Sequence, residues 1–337
     1  MLQTKLTSLS ALALALFCAT EGAAQQTYLL RISSENTPSH VQTRALAQFA
    51  ERVEAASNGR IDAEFYHSAK LFRDRNVVSA LVAGKIEMAV PGTWQLDRFV
   101  PDMGVYMLPL FYGRTVEEHH RVRDGELGAE IGRRIERDLG VHVPGRWLDL
   151  GHAHLYFTEH QVSEHQDLNG LRIRVPGGFA NEARIGAFGA QPTVIPWPDL
   201  PQALRDSRVD GMLTTHETVR SARLWETGVA YAFEDMEYFA QYVPLISGRF
   251  WDGLPDDLKA VIDGAWDEVV DQERQDAMAA QNQARETLTA QGIKISTPSI
   301  EELTHWRLIA RQGEDAIVRQ LGIDPQLVTE AENELDQ

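Results

Sequence analysis

The chain has 337 residues, 43% of them hydrophobic and 24% charged. That is room for about two domains, each with its own core, and it excludes a disordered chain. With 49 acidic against 32 basic residues the formal net charge is −17, the wrong sign for binding DNA, RNA or an anionic membrane surface, and no Lys/Arg-rich run reverses it locally.

Residues 1–24 read apart from the rest. Lys5 supplies a positive start, Leu6 to Phe17 is an apolar run, and Gly22-Ala23-Ala24 offers small residues at a cleavage site near Ala24. This pattern predicts a secretory signal. The apolar run falls short of the ~20 residues a bilayer span needs. Phe17 stands before Cys18 where a lipid-attachment motif wants Gly or Ala, so a lipoprotein is not expected. Cleavage removes the only cysteine, so the mature chain has no internal disulfide and no thiol nucleophile. It also removes Lys5 together with Glu21, which leaves the net charge unchanged.

The mature chain opens with an expected strand, Tyr28 to Ile32. A helix follows, with Ala45, Leu46, Phe49 and Val53 at helical spacing. Asn58-Gly59 marks a turn, and Arg60 to Tyr66 alternates as a strand. Asp74 to Ala83 reads as a helix stopped by Gly84, and Ile86 to Val90 as a short buried strand. This alternation argues for a parallel α/β sheet. A second round predicts a helix over 115–138 and a strand from Val141 to Leu150. After Gly151 come a strand near Leu155 to Phe157, a turn at Asp167 to Gly170, a strand Leu171 to Val175, and a helix over 179–187. A strand Thr193 to Ile195, a helix over 199–206 and a strand Val209 to Leu213 complete the block. The expected organisation is one domain over 25–150, rejoined over about 235–255, and a second over 151–234.

The longest pattern follows Leu254-Pro255. Leu258, Val261, Ile262, Ala265, Trp266, Val269 and Val270 recur at three and four residues, and Asp256 and Asp257 occupy a first turn that favours negative charge. The pattern runs over 256–291, roughly 54 Å of helix, long enough to span both domains. C-terminal helices are expected over 292–337.

No catalytic signature is present: no GxSxG elbow, no HExxH, no P-loop, no GxGxxG after a strand. His152 and His154 share one face of an expected strand, but no third metal ligand is identifiable, and Glu118-His119-His120 reads as an exposed helix face. Neither a metal nor an organic cofactor is expected. The sharper feature is Leu171-Arg172-Ile173-Arg174-Val175-Pro176. Arg172 and Arg174 alternate onto one side of a strand that Pro176 ends. An arginine at the carboxyl end of a sheet strand sits where open α/β folds bind ligands, and a guanidinium suits a carboxylate.

At this point the chain resembles the substrate-binding proteins of TRAP transporters, the DctP-type family. Asp167 to Pro176, reading DLNGLRIRVP, is similar to that family's signature block. The likeness continues in order through Asn58 to Ile61 with Glu64, Leu71 with Asp74-Arg75, Gly84 to Ala89, Phe99 to Pro101, Leu108 to Phe111, Val209 to Gly211, and Phe250 to Leu258. The resemblance implies a type II-like two-domain periplasmic binding protein, with a ligand cleft between domains, a long helix across both, and hinge closure. It implies Arg174 as the carboxylate-holding residue. Trp197, Trp94, Thr93, Glu35, Tyr238 and Arg172 are the further cleft candidates. Thr214 stands where the family often has a ligand-contacting Asn, and a second family arginine is absent, with His154 as its candidate substitute.

The implied function is capture of a small organic acid, a monocarboxylate sooner than a dicarboxylate, for delivery to TRAP membrane subunits. The expected protein is a periplasmic monomer that binds no nucleic acid and is not an enzyme. Two other readings stay open: a secreted α/β enzyme acting on a small organic acid, and a ligand-binding partner of a membrane sensor.

Overall fold

The computed structural model describes residues 26–336; the expected signal and Cys18 lie outside them. Eleven strands occur among these residues. In chain order they are β1 (Tyr28–Ser33), β2 (Ile61–Tyr66), β3 (Met88–Ala89), β4 (Val141–His142), β5 (Leu148–Phe157), β6 (Arg172–Val175), β7 (Gln191–Val194), β8 (Gly211–Thr214), β9 (Tyr231–Tyr242), β10 (Leu245–Ser247) and β11 (Lys294–Ser296). They form two sheets, ordered β2-β1-β3-β10-β4 and β11-β9-β5-β8-β6-β7.

The first sheet follows from the opening strand–helix alternation. β1 pairs in parallel with β2 from Tyr28↔Ile61 to Ser33↔Tyr66, and with β3 on its other side. The helix Val41–Ala56 crosses between them and buries Ala45, Leu46, Phe49 and Val53. The returning β10 runs antiparallel to β3 and β4.

The second sheet departs from the parallel expectation. β6 is parallel to β7 and β8, but β5 runs antiparallel to both β8 and β9. β5 and β9 are the two longest strands. Their pairing extends from Leu148↔Tyr242 to Phe157↔Tyr231, with register shifts at Asp149/Gly151 and Ala153/Leu155. At the Tyr242 end they touch the first sheet, where Tyr242 bridges Gly92 and Val243 N–H donates to Pro91 O. The pair therefore crosses from one sheet to the other.

Two expected elements are each split. The helix expected over 115–138 is two helices, Val116–Arg123 and Glu126–Leu139. The strand expected over 141–150 divides between β4 in the first sheet and β5 in the second.

The long helix runs Asp256–Ala290, about 52 Å at 1.5 Å per residue. It packs on the helix Val41–Ala56 beside the first sheet, on β5, and on the helix His216–Ser221 beside the second. Trp266, fully buried, meets Phe49 edge-on at 5.3 Å and donates its Nε1–H to Arg146 O at 2.8 Å. Leu327, Ala331 and Leu335 of the last helix pack with Leu127, Ile131 and Ile135. Among the described residues no helix is long and apolar enough to cross a membrane.

Candidate ligand-binding cleft

Between the sheets lies a small cavity of about 50 Å³, and beside it an outer groove of about 250 Å³ that shares its walls at Glu35, Asp74, Trp94 and Pro176. Three sets of elements converge on the cavity. The first sheet's connections bring Glu35, Asn36, Asp74 and Trp94; the crossing strands bring Leu150, Ala153, Tyr238 and Tyr242; the second sheet's edges bring Arg174, Trp197 and Thr214.

Arg174 owes its position to strand alternation in β6. Ile173 and Val175 are buried in the sheet's core, and Arg174 turns the other way into the cavity, 3% exposed. Its Nε donates to Ile195 O at 2.9 Å and its Nη1 to Leu213 O at 3.2 Å. The guanidinium carbon sits 5.9 Å from the centre of the Trp197 ring, within cation–π range. Burial lowers its pKa to about 10, with Glu35 and Asp74 acting in the opposite direction. No carboxylate among the described residues reaches ion-pair distance of it, and Nη2 has no protein acceptor there.

The opposite wall is polar and tied together. Asn36 Nδ2 donates to Tyr242 Oη at 2.8 Å and to Gln42 Oε1 at 2.6 Å, and Gln42 Nε2 is anchored on Val90 O at 3.0 Å. Asp74, in the first turn of the helix Asp74–Val82, accepts Trp94 Nε1–H at 3.2 Å. Burial raises the Asp74 carboxyl well above its usual range, and neighbouring Glu35 adds to the rise. Glu35 is raised as well, by burial first, although it accepts the Asp74 backbone N–H. Thr93 does not line the cavity; fully buried, it shares a hydrogen bond with Tyr238 Oη and so fixes a residue that does.

This arrangement has an inter-sheet cavity, one buried cation at its floor, hydrogen-bonding walls and two crossing strands as the connection. A protein-family model described as bacterial extracellular solute-binding protein, family 7 (DctP), matches residues 32–320. The chain belongs to that family.

Two DctP-family relatives cover most of the sequence. The C4-dicarboxylate-binding periplasmic protein DctP of Rhodobacter capsulatus is 25% identical over 301 residues, 88% of either chain. The sialic acid-binding periplasmic protein SiaP of Vibrio cholerae is 21% identical over 272 residues, 81% of this chain and 84% of its own. Among solved structures, the sugar acid binding protein DctPAm from Advenella mimigardefordensis, in complex with galactonate, matches with a TM-score of 0.86 at 20% identity. That match covers 92% of this chain and 98% of that one. A TRAP periplasmic solute binding protein from Sulfurospirillum deleyianum with bound succinate matches at 0.83 and 22%, over 91% and 99%. The fold is the two-domain α/β fold of TRAP periplasmic binding proteins.

Two of the expected site residues lie elsewhere in this DctP-family chain. His154 shares β5 with Ala153, and successive side chains take opposite faces. Ala153 lines the cleft, so His154 points behind it, into a separate cavity with His152, His216 and Glu234. There its ring lies 4.8 Å from that of His216 and its Nδ1 3.7 Å from Asp235 Oδ1. Arg172 sits two residues before Arg174 and is committed to Asp210, with Nη2–Oδ1 at 2.6 Å and Nε–Oδ2 at 3.0 Å.

Asn36, Gln42, Asp74 and Tyr242 are cleft residues that the sequence reading missed. Asp74 was visible as the start of a helix and as part of the family-like Leu71 to Arg75 stretch, neither of which marks it as a cleft residue, and the others carry no spacing signal.

Proposed function

We propose that this chain is an extracytoplasmic solute-binding protein that holds a small organic acid by Arg174 and delivers it to the membrane subunits of a TRAP transporter. It acts in the periplasm as a monomer, after loss of a signal sequence near Ala24, and releases its ligand chemically unchanged. Residues 25–150 with about 235–255 form one lobe and 151–234 the other. The lobes close on the ligand by bending where β5 and β9 cross, beneath the long helix.

The observation that carries this reading is a nearly fully buried guanidinium, lining a cavity, without an ion-pair partner among the described residues. Burying an uncompensated charge is costly, and a ligand carboxylate on Nη2 would offset that cost with a charge-assisted hydrogen bond. Relatives named for C4-dicarboxylates and sialic acid, and a structure holding galactonate, share the carboxylate as their common chemistry; only that feature is carried over here.

The test is a thermal-shift screen of the mature protein against sugar acids, uronates, keto acids, hydroxy acids and dicarboxylates, with Arg174→Ala beside it. Native-state binding raises the melting temperature. The expected result is a rise with at least one acid and a loss of affinity of about 30-fold or more in the variant, because truncating one partner of a buried charge pair costs roughly 2–5 kcal/mol. Wild-type affinity in Arg174→Ala refutes the assignment. Recovery of altered ligand after prolonged incubation would refute the non-enzymatic reading.

A further inference from the structure

Among the described residues lining the inner cavity Arg174 is the one cation, whereas Glu35 and Asp74 both line it. They face Arg174 closely enough to act on its charge, but neither forms an ion pair with it. Glu35 Oε1 is closed off from solvent and has no hydrogen-bond partner. Asp74 receives the Trp94 indole at 3.2 Å and is also hydrogen-bonded by the Gln95 side-chain amide, which leaves Glu35 as the acid lacking a side-chain donor. A buried acceptor without a donor is a standing cost, relieved only when something donates to it.

Size narrows what that donor can belong to. The inner cavity of about 50 Å³ accommodates roughly four water-sized groups at ~10–15 Å³ each. It holds a carboxylate and the carbon beside it. The rest of a ligand must pass Glu35, Asp74 and Trp94, which also form the wall of the outer groove.

We infer that the ligand carries hydrogen-bond donors, hydroxyl or ammonium, on the carbons next to its carboxylate, and that Glu35 and Asp74 accept from them while Arg174 takes the carboxylate. The inference rests on the reading of Arg174 given above. A second carboxylate in place of those donors would meet two acids where it needs a cation. An unsubstituted acid would leave Glu35 Oε1 unpaired. A site built to hydrogen-bond a substrate OH or NH rejects the analogue lacking it by up to about 10⁴-fold or more.

The experiment titrates the mature protein calorimetrically with matched acids: glycerate and serine against propionate, erythronate and homoserine against butyrate and succinate. Glu35→Gln, Asp74→Asn and Arg174→Ala are run in parallel, with melting curves to confirm folding. The expected result is that a substituted acid binds at least ~30-fold tighter than its unsubstituted match and than succinate. Glu35→Gln and Asp74→Asn should each shrink that preference about 10-fold, read as the ratio of substituted to unsubstituted acid within the same variant, since removing either charge also alters the binding of every carboxylate at Arg174. The hydroxy and amino arms then tell which donor the site takes. Equal binding of butyrate or succinate overturns the inference. So does a preference that survives both acid substitutions, or the absence of binding by every substituted acid. Arg174→Ala reports separately: persistence of all binding there removes the carboxylate reading itself.

Discussion

Arg174 and Arg184 are 3% and 1% exposed, yet their surroundings differ in kind. Arg184 Nη1 lies 2.6 Å from Glu237 Oε2 and 3.7 Å from Asp235 Oδ2, and both acids are themselves buried. Arg174 has only carbonyls and an aromatic face. Breaking a buried pair leaves an uncompensated charge and costs roughly 3–5 kcal/mol. Arg184→Met should therefore lose about that much in urea unfolding. Arg174→Met removes a cation whose pKa burial has already lowered to about 10, so its stability should stay within about 1 kcal/mol of wild type or exceed it. Equal losses in the two variants would mean that Arg174 is a structural residue. Alternation in Leu171 to Val175 put Arg172 and Arg174 together on one side of the strand, and only the family resemblance singled out Arg174. The same rule placed His152 and His154 on one face but could not say which face meets the cleft, because period-two spacing is symmetric about the strand. Glu35 was named only through the resemblance, and Asp74 was not named as a cleft residue at all. They meet only because the end of β1 and the start of a helix converge, and no local spacing records that.

At the scale of elements, the cleft is closed on one side by a helix that takes its cap from the other sheet's connections. Asp97 Oδ2 accepts Ala180 N–H at 3.0 Å at the start of the helix Phe179–Ala187. Gly178 has φ +92°, and a Cβ there would stand 2.9 Å from Trp94 O, so only glycine permits this approach. Burial pushes the Asp97 carboxyl up to about 6, against the pull of backbone N–H groups of Ala180, Phe179 and Arg98; Glu182 adds to the rise. A carboxyl raised above its unfolded value gives stability that is fully present below pH ~4 and lost as pH rises toward 6. Two units correspond to about 3 kcal/mol. Asp97→Asn keeps the acceptor without the charge. Its stability relative to wild type should rise between pH 4 and pH 7 by up to that amount, and a pH-independent difference in unfolding curves would contradict the linkage. Element boundaries were legible where the punctuation was local, as at Pro255 before the long helix. They were missed where tertiary contacts decided them. A Cβ on Gly125 would lie 2.7 Å from Arg121 O, and Asp124 is held by Arg274 Nη1 at 2.5 Å, so the expected helix breaks there. A Cβ on Gly145 would stand 3.0 Å from Trp266 Cδ1, and the chain passes from β4 to β5 beside it.

For the whole molecule, affinity depends on contacts that exist only when the two sheets stand this close, since a ligand can shift an opening equilibrium only through differential contacts. Two such contacts differ sharply in environment. Arg73 Nη1 meets Asp199 Oδ2 at 2.7 Å across the mouth, with side chains 47% and 45% exposed. Gln95, 5% exposed, donates Nε2–H to Pro176 O at 3.1 Å near the inner wall. An exposed ion pair contributes roughly 0–1 kcal/mol and is screened by salt. Pro176 is itself half-buried, and leaving a buried carbonyl without its donor costs roughly 1–3 kcal/mol, which bounds the loss here from above. If this closeness is the ligand-holding state, Gln95→Ala should weaken binding of the acid found in the screen by about 10-fold or more. Arg73→Ala should weaken it by less than ~5-fold, and by less again at high salt. Titration calorimetry at two ionic strengths separates these outcomes. A larger effect at Arg73 would place the closing force at the rim, in long-range attraction between the lobes; a larger effect at Gln95 places it in the desolvated contacts beside Trp94 and Arg174, where ligand and lobe closure share the same walls.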